Sequence, residues 1–241
     1  MQKHFFFDLD NTLTRSRTHI ESEHAAVLGR LADVADIIVV SGAQRSQIQK
    51  QLDPEMQSRY YVLGQNGNAA VTPLGEILWE QTLSPSQKTA VMVLIEKMKT
   101  HLALTVKDDT DLVEDRGCQI AYSLIGHHET IEAKEAFDPD HQKRIKLLEI
   151  FKDDVERLGA EHALEIRSGG TTCLDIFEKG KNKGFNCTQL IERLGWQKDD
   201  CLYIGDAIFP GGNDETVIGV IPTKAVKDYH ETYAYLSSVL L

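Results

Sequence analysis

The sequence predicts an α/β fold: a parallel sheet flanked by helices and interrupted by an inserted segment of α+β character. Three observations carry this. Apolar runs at residues 5–7, 37–40 and 201–205 have the length and unbroken hydrophobicity of strands buried on both faces. Helical patterns separate them, as parallel strands require. Between about residues 84 and 178 the pattern turns to charged helices grouped with alternating strands, which suggests a separate α+β layer. The division expected is a discontinuous outer domain, residues 1–82 and 179–241, with residues 83–178 as an inserted domain. A chain of 241 residues is long enough for both.

The elements follow in order. The first strand, residues 5–7, ends in Asp8-Leu9-Asp10-Asn11-Thr12. An amphipathic helix is expected over about 21–32, then the β-branched strand 37–40, which stops at Ser41-Gly42. Residues 60–63 read as a third strand. Gln65-Asn66-Gly67-Asn68 reads as a tight turn into residues 69–71, and Pro73-Leu74-Gly75 as a turn into 76–79. In the insert, a long helix is expected over about 84–101, then an acid-rich stretch over 107–116. Residues 119–123 alternate like a half-exposed strand. A second long helix is expected over about 140–158, and strands 163–167 and 173–177 pair around Ser168-Gly169-Gly170. The outer pattern resumes with a helix over about 184–194 and the strand 201–205, ending in Asp206. Residues 216–220 are a short strand candidate, and a closing helix begins near Asp228.

Composition excludes some partners. With 37 Asp and Glu against 26 Lys and Arg, the formal charge is −11, and no basic footprint for nucleic acid or an acidic membrane surface is present. The four cysteines are scattered, without the spacing of a metal knuckle or a disulfide framework, and read as reduced thiols. Asp8 and Asp10 interrupt the apolar N-terminal run, so no signal peptide is read, and no stretch has the length of a membrane span. A cytoplasmic location is expected. His101, His127 and His128 read as surface histidines, since no third ligand is spaced to join them.

Ligands of open α/β sheets collect at the carboxyl ends of the strands. Asp8, Asp10, Ser41 and Asp206 all stand at such ends. Two carboxylates this close need a cation or a shared proton. Ser41 reads either as a helix N-cap or, with Gly42 and the N–H groups opening the next helix, as an anion cradle. Lys183 at a helix start is disfavoured by the helix dipole, so it is either solvated or neutralised by a nearby anion. Asp206 and the run Gly211-Gly212-Asn213-Asp214 read equally as caps and turns.

Taken together, Asp8-x-Asp10-x-Thr12 after an apolar strand, Ser41, Lys183 and Asp206 stand in the order of the four motifs of the haloacid dehalogenase (HAD) superfamily, and the chain resembles that superfamily over its length. The likeness narrows toward the eukaryotic-type phosphomannomutases and the Cof-type sugar phosphatases. It rests on Gly205-Asp206 with Pro210-Gly211-Gly212-Asn213-Asp214, Arg17, Asn66-Gly67, Glu114-x-Arg116-Gly117, Ser123-x-Ile125-Gly126, Ser168-Gly169-Gly170 and Asp175-x-Phe177. The resemblance implies a Rossmann-like HAD core with an inserted α+β cap domain. It further implies Asp8 as nucleophile, Asp10 as acid/base and Lys183 as a catalytic cation, with Ser41, Gly42 and Lys183 on the phosphate. Magnesium would be held by Asp8, Asp10 (through its main-chain carbonyl) and Asp206. Thr12, Asn213 and Asp214 would support these groups, the last two by orienting Lys183 and the metal's waters. Arg17, Arg116, Ser168 and Asp175 would contact the sugar or a distal phosphate. Relatives with such a cap often pair through it, which makes a homodimer through the cap a partner expectation, although no cap surface in the sequence marks an interface.

The chain departs from the mutase pattern in the cap. Asp109 and His127 fill positions where that family carries arginines, and Cys173 fills one where it carries serine. A mutase must hold a bisphosphate in two orientations and needs cations distally. The expectation is therefore a magnesium-dependent phosphohydrolase acting on a phosphorylated sugar through an aspartyl-phosphate, ahead of a phosphomannomutase. A sugar-phosphate-binding protein without chemistry is a third reading, which retention of both Asp8 and Asp10 disfavours. A nucleotide-binding Rossmann protein would want a GxGxxG turn where Asp-Leu-Asp-Asn-Thr stands.

Overall fold

The computed structural model describes residues 2–103 and 106–240. The chain divides into two compact units, Met1–Glu80 with Lys181–Leu241, and Gln81–Gly180.

The first unit is built on a seven-stranded sheet. In chain order its strands are β1 (His4–Phe7), β2 (Asp36–Val40), β3 (Tyr60–Gly64), β4 (Ala69–Val71), β5 (Ile77–Glu80), β10 (Cys201–Gly205) and β11 (Thr223–Ala225). Its helices are α1 (Ser22–Ala32), α2 (Arg45–Gln51), α7 (Lys183–Leu194) and α8 (Tyr229–Val239). The strand order is β11-β10-β1-β2-β3-β4-β5, parallel from β11 to β3 and antiparallel through β4 and β5. β1 lies in the middle of the five parallel strands, and Phe5, Phe6 and Phe7 are all fully buried. Phe5 and Phe7 enter the cluster containing Leu28 and Leu31 of α1 and Leu236 of α8. Phe6 faces the opposite way, into the cluster containing Cys187, Leu190 and Ile191 of α7. An unbroken apolar run is what a strand covered on both faces requires.

The second unit holds a four-stranded antiparallel sheet, β6 (Val113–Asp115), β7 (Gln119–Ser123), β8 (Leu164–Gly169) and β9 (Cys173–Glu178), in the order β6-β7-β9-β8. Its helices are α3 (Pro85–Leu102), α4 (Ile131–Phe137), α5 (Gln142–Ile150) and α6 (Lys152–His162). Ile120, Tyr122, Leu174 and Ile176 pack with Val91, Leu94, Ile95 and Met98 of α3 and Leu158 of α6. Ser84 starts α3 with a capping box, its side chain accepting from Gln87 N–H while Gln87 returns a bond to the Ser84 N–H.

The structure corrects several expectations. The long helix expected over 140–158 is two helices, broken at Phe151. Asp153 and Asp154 open the second one, where the helix dipole favours acids. The short α4 was not anticipated. Residues 119–123 are buried throughout rather than half-exposed, because β7 is an inner strand with neighbours on both sides. Residues 216–220 form no strand. Glu215–Val217 is a 3-10 turn that buries Val217, and β11 follows at Thr223.

Candidate active site

The loop after β1 folds on itself through one carbonyl: Leu9 O accepts from the N–H groups of Thr12 (3.3 Å), Leu13 (2.9 Å) and Thr14 (3.2 Å). Leu9 and Leu13 are fully buried, which anchors the loop from below. Asp8 therefore leaves the end of β1 in a fixed place, its N–H bonded to Ile204 O at 3.0 Å. The parallel registers Phe7↔Val39 and Phe7↔Ile204 bring Ser41 and Asp206 out at the same sheet edge.

Asp8 is 7% exposed. Its Oδ1 accepts from Lys183 Nζ at 2.5 Å, and Lys183 reaches Asp214 Oδ1 at 2.7 Å. Lys183 is the first residue of α7, whose N-cap Asn182 accepts from Phe185 N–H. The position is poor for a cation in isolation, and the two carboxylates explain it. They hold the Lys183 pKa above its ordinary value even though burial opposes the charge. Asp214 is fully buried; its Oδ2 accepts from Ala207 N–H at 3.1 Å, and its Oδ1 also accepts from Tyr203 Oη at 2.5 Å. The close approach needs Gly205, since a Cβ there would lie 2.3 Å from Asp214 Oδ2. Asp206 is held by Thr12, whose Oγ1 accepts from the Asp206 N–H at 3.1 Å.

One carboxylate oxygen from each of Asp8, Asp206 and Asp214 lies within 4.8 Å of the others, so the three can hold a cation. Burial, opposed by Lys183 and reinforced by Asp214 and Asp206, pushes Asp8 well above the usual carboxylate range. Burial and Asp214, opposed by Lys183 and reinforced by Asp10, push Asp206 up to about 7. One ammonium does not neutralise three acids. Oxygen donors with unrelieved mutual repulsion suit a hard divalent cation.

The other expected residues are placed as follows. Asp10 Oδ1 accepts from the Arg17 N–H at 3.0 Å, with Arg17 in the left-handed region (φ 57°). The Asp10 side chain is not part of the cluster that Asp8, Asp206 and Asp214 form. Ser41 is buried, and its Oγ accepts from Ala43 N–H at 3.1 Å. Ser41 is neither an N-cap nor the opening of a helix: α2 begins at Arg45 after Gln44, so a phosphate at Ser41 and Gly42 would meet a turn rather than a helix N-terminus. Lys183 is oriented by Asp8 and Asp214, while Asn213 holds Thr216 through its main-chain carbonyl (3.2 Å).

In the second unit, Arg116 donates from both Nε (3.0 Å) and Nη2 (2.6 Å) to Glu114 Oε2. Against the opposing effect of burial, Asp175 and Glu114 hold its charge firmly. Asp175 lies under Gly169, where a Cβ would approach Asp175 Oδ2 to 2.5 Å. Ser168 Oγ pairs with His141 Nδ1 at 2.9 Å. His127 is buried, not a surface residue. Its Nε2 faces Ala121 O at 3.2 Å, and Nδ1 lies 3.6 Å from Glu114 and 4.0 Å from Cys173 Sγ. A carbonyl only accepts, so Nε2 carries a proton toward Ala121 O. His128 and His101 lie outside this cluster.

Sequence reasoning missed three groups. Tyr203 is an ordinary strand residue by type; the signal was Gly205 two residues on, which leaves that face of β10 open beside the ring. Arg144 is fully buried, paired to Asp138 at 2.6 Å and donating to the carbonyls of Gly169, Gly170 and Cys173, so it clamps the β8–β9 turn that carries Ser168. Asn186 and Asn68 both donate to Lys181 O, at 3.2 and 2.9 Å, where the chain re-enters the first unit.

A buried carboxylate at the end of a central parallel strand, a buried lysine bonded to it and two further acids that can hold a cation are the groups that a phosphoryl-transfer site assembles. The model of the haloacid dehalogenase-like hydrolases matches residues 5–216, and the chain belongs to that family. Among curated proteins it is similar to phosphomannomutase 1 of Homo sapiens, 29% identical over 214 residues that cover 86% of this chain and 80% of that protein. It is also similar to the phosphomannomutase of Spinacia oleracea, 26% identical over 220 residues, 86% of this chain and 83% of that protein. Among solved structures it shares its fold with a haloacid dehalogenase-like hydrolase from Bacteroides thetaiotaomicron, with a TM-score of 0.63, 14% identity, and coverage of 99% of this chain and 100% of that one. It likewise shares it with the IMP-bound, N-terminally truncated IMP-nucleotidase of Plasmodium falciparum, with a TM-score of 0.68, 19% identity, and coverage of 99% and 68%. No helix among the described residues is long and apolar enough to cross a membrane.

Proposed function

We propose that the protein is a magnesium-dependent phosphatase of sugar phosphates that works through an aspartyl-phosphate on Asp8. The observation that carries this reading is the buried Asp8 carboxylate, 2.5 Å from Lys183 and grouped with Asp206 and Asp214. Magnesium would be held by Asp8, Asp206 and the main-chain carbonyl of Asp10, and when bound it supplies the positive charge that keeps these acids ionised beside a phosphate dianion.

Asp8 attacks phosphorus in line, the bond from phosphorus to the sugar oxygen breaks, and Asp10 gives that oxygen its proton. Asp10 then takes a proton from the attacking water, which releases phosphate and restores Asp8. Lys183, with Ser41 and Gly42 at the same sheet edge, takes the charge on the transferring oxygens. The Arg17 N–H holds Asp10 Oδ1 and leaves the other oxygen for the proton. Arg17, and in the second unit Arg116, Ser168 and Asp175, recognise the sugar; in this reading the second unit is the cap.

The preference for hydrolysis over isomerisation is supported by Arg116, which gives donors from Nε and Nη2 to Glu114 and whose charge is balanced by Asp175 as well. A guanidinium shared between two carboxylates is a weak distal-phosphate site. The phosphomannomutase relatives keep the mutase as the second reading. Mannose and glucose 1- and 6-phosphates, incubated with magnesium with and without a hexose 1,6-bisphosphate, separate the two: free phosphate without isomer is expected, and isomer with little phosphate would establish the mutase. Asp8→Asn lowers either activity by about 1,000-fold or more; near wild-type turnover in that variant would remove Asp8 from the mechanism.

A further inference from the structure

Tyr203 has no part in the reaction as described, yet its hydroxyl reaches the centre of the site. The residue is fully buried on the face of β10 that packs against α7, its ring in the cluster with Phe6, Cys187 and Leu190. A buried hydroxyl needs a partner, and here the partner is Asp214 Oδ1 at 2.5 Å, the same oxygen that accepts Lys183 Nζ at 2.7 Å. Hydrogen bonds of that length from a hydroxyl to a carboxylate are the strong, charge-assisted kind. With Ala207 N–H on Oδ2, the Asp214 carboxylate has three donors from three directions: the strand, the loop after it and the start of α7.

We propose that Tyr203 is a positioning residue, acting through Asp214 to keep Lys183 bridged between Asp214 and Asp8. The inference rests on the reading of Asp8 and Lys183 as the reaction centre. Lys183 divides one charge between two carboxylates, at 2.5 Å from Asp8 and 2.7 Å from Asp214. The phenol takes part of the electron density of Asp214 Oδ1. Without it, that oxygen turns wholly to the ammonium and draws it from Asp8, the group that reacts. The loss falls on the step in which charge builds at the phosphoryl oxygens, and so on kcat. Ser41, Gly42 and the sugar-contacting residues keep their places, and Lys183 matters most where charge builds, so KM moves less than kcat.

The test uses the full chain with magnesium and p-nitrophenyl phosphate, a probe independent of sugar recognition. Tyr203→Phe keeps the ring and is expected to lower kcat ~10-fold with KM changed less than ~2-fold. In an Asp214→Asn background the same substitution changes kcat less than ~2-fold, because the carboxylate charge through which it acts on Lys183 has gone. Replacing Tyr203 by 3-fluorotyrosine, which keeps the hydroxyl, restores kcat to within ~2-fold of wild type. Unchanged kcat in Tyr203→Phe, or equal losses in both backgrounds, overturns the proposal. If Tyr203→Phe does not fold, or wild type turns over no phosphate ester, the 15N resonance of the Lys183 ammonium decides. It moves on fluorination of Tyr203 if the bridge exists, and an unmoved resonance refutes it. Absence of turnover in wild type refutes the phosphatase reading alone.

Discussion

Asp206→Asn should make the metal-free protein more stable while abolishing its response to magnesium. Burial and Asp214 raise Asp206 from the ordinary 3.8 to about 7, so between those values the folded state holds a proton that the unfolded state has released. The sign follows. The stabilising contribution is complete at low pH and is lost as pH rises through about 7, since stability falls wherever the native state binds more protons. The interval corresponds to about 4 kcal/mol. Asp206 is partly exposed and solvent screens it, so about 2 kcal/mol is the working figure. Asparagine carries no charge to confine and retains Oδ1 toward Thr12, so the variant escapes that loss. For a chain of this length, a midpoint about 4–8 °C above wild type is expected at pH 8 in EDTA, with the gap narrowing steadily as pH falls from 7 and closing only below the ordinary 3.8. Thermal scans from pH 5 to 8, with EDTA or with excess magnesium, read this directly. Magnesium should raise the wild-type midpoint, as any ligand of the native state does, and leave the variant where it was. Parallel wild-type and variant curves across that pH range would refute the account of the acid cluster; a variant stabilised by magnesium as wild type is would remove Asp206 from the ligand set.

Two further substitutions probe the frame. Gly205→Ala places a Cβ 2.3 Å from Asp214 Oδ2 and 2.9 Å from Tyr203 Cε1, which displaces the anchor of Lys183; kcat is expected to fall ~100-fold, with a loss of about 2 kcal/mol in urea unfolding. Arg144→Met leaves Asp138 buried without its cation and frees three carbonyls at the β8–β9 turn. A loss of about 3–5 kcal/mol is expected from denaturant titration, and Asp138→Asn in the same chain should recover part of it.

How much of this could be read from the sequence depended on range. Asp8, Ser41 and Asp206 were legible because a strand end is a local feature, and parallel strands put their carboxyl ends at one edge. Lys183 was legible as an anomaly, a cation where a helix dipole repels it. Tyr203, Arg144 and His127 were not, because their roles depend on partners far along the chain, or on an inner strand that looked half-exposed. His127 in particular sits against Glu114 and Cys173, a contact no periodicity announces. The Phe151 break and the strand misplaced at 216–220 have a different origin. An apolar pattern at helical or strand spacing continued through both, while local forces, acids opening α6 and the packing of Val217, decided the backbone.

β1 is the middle of the five parallel strands, and its two neighbours are made at very different times. β2 emerges soon after it, but β10 comes some two hundred residues later, with Lys183 separated from Asp8 by 175 positions. During synthesis, then, a fully buried apolar strand waits with one edge open and without the lysine that pairs its acid while the entire second unit is made. The centre of the fold closes only after the second unit has been made. Truncation anywhere before Cys201 leaves an apolar edge exposed, the kind that recruits other chains.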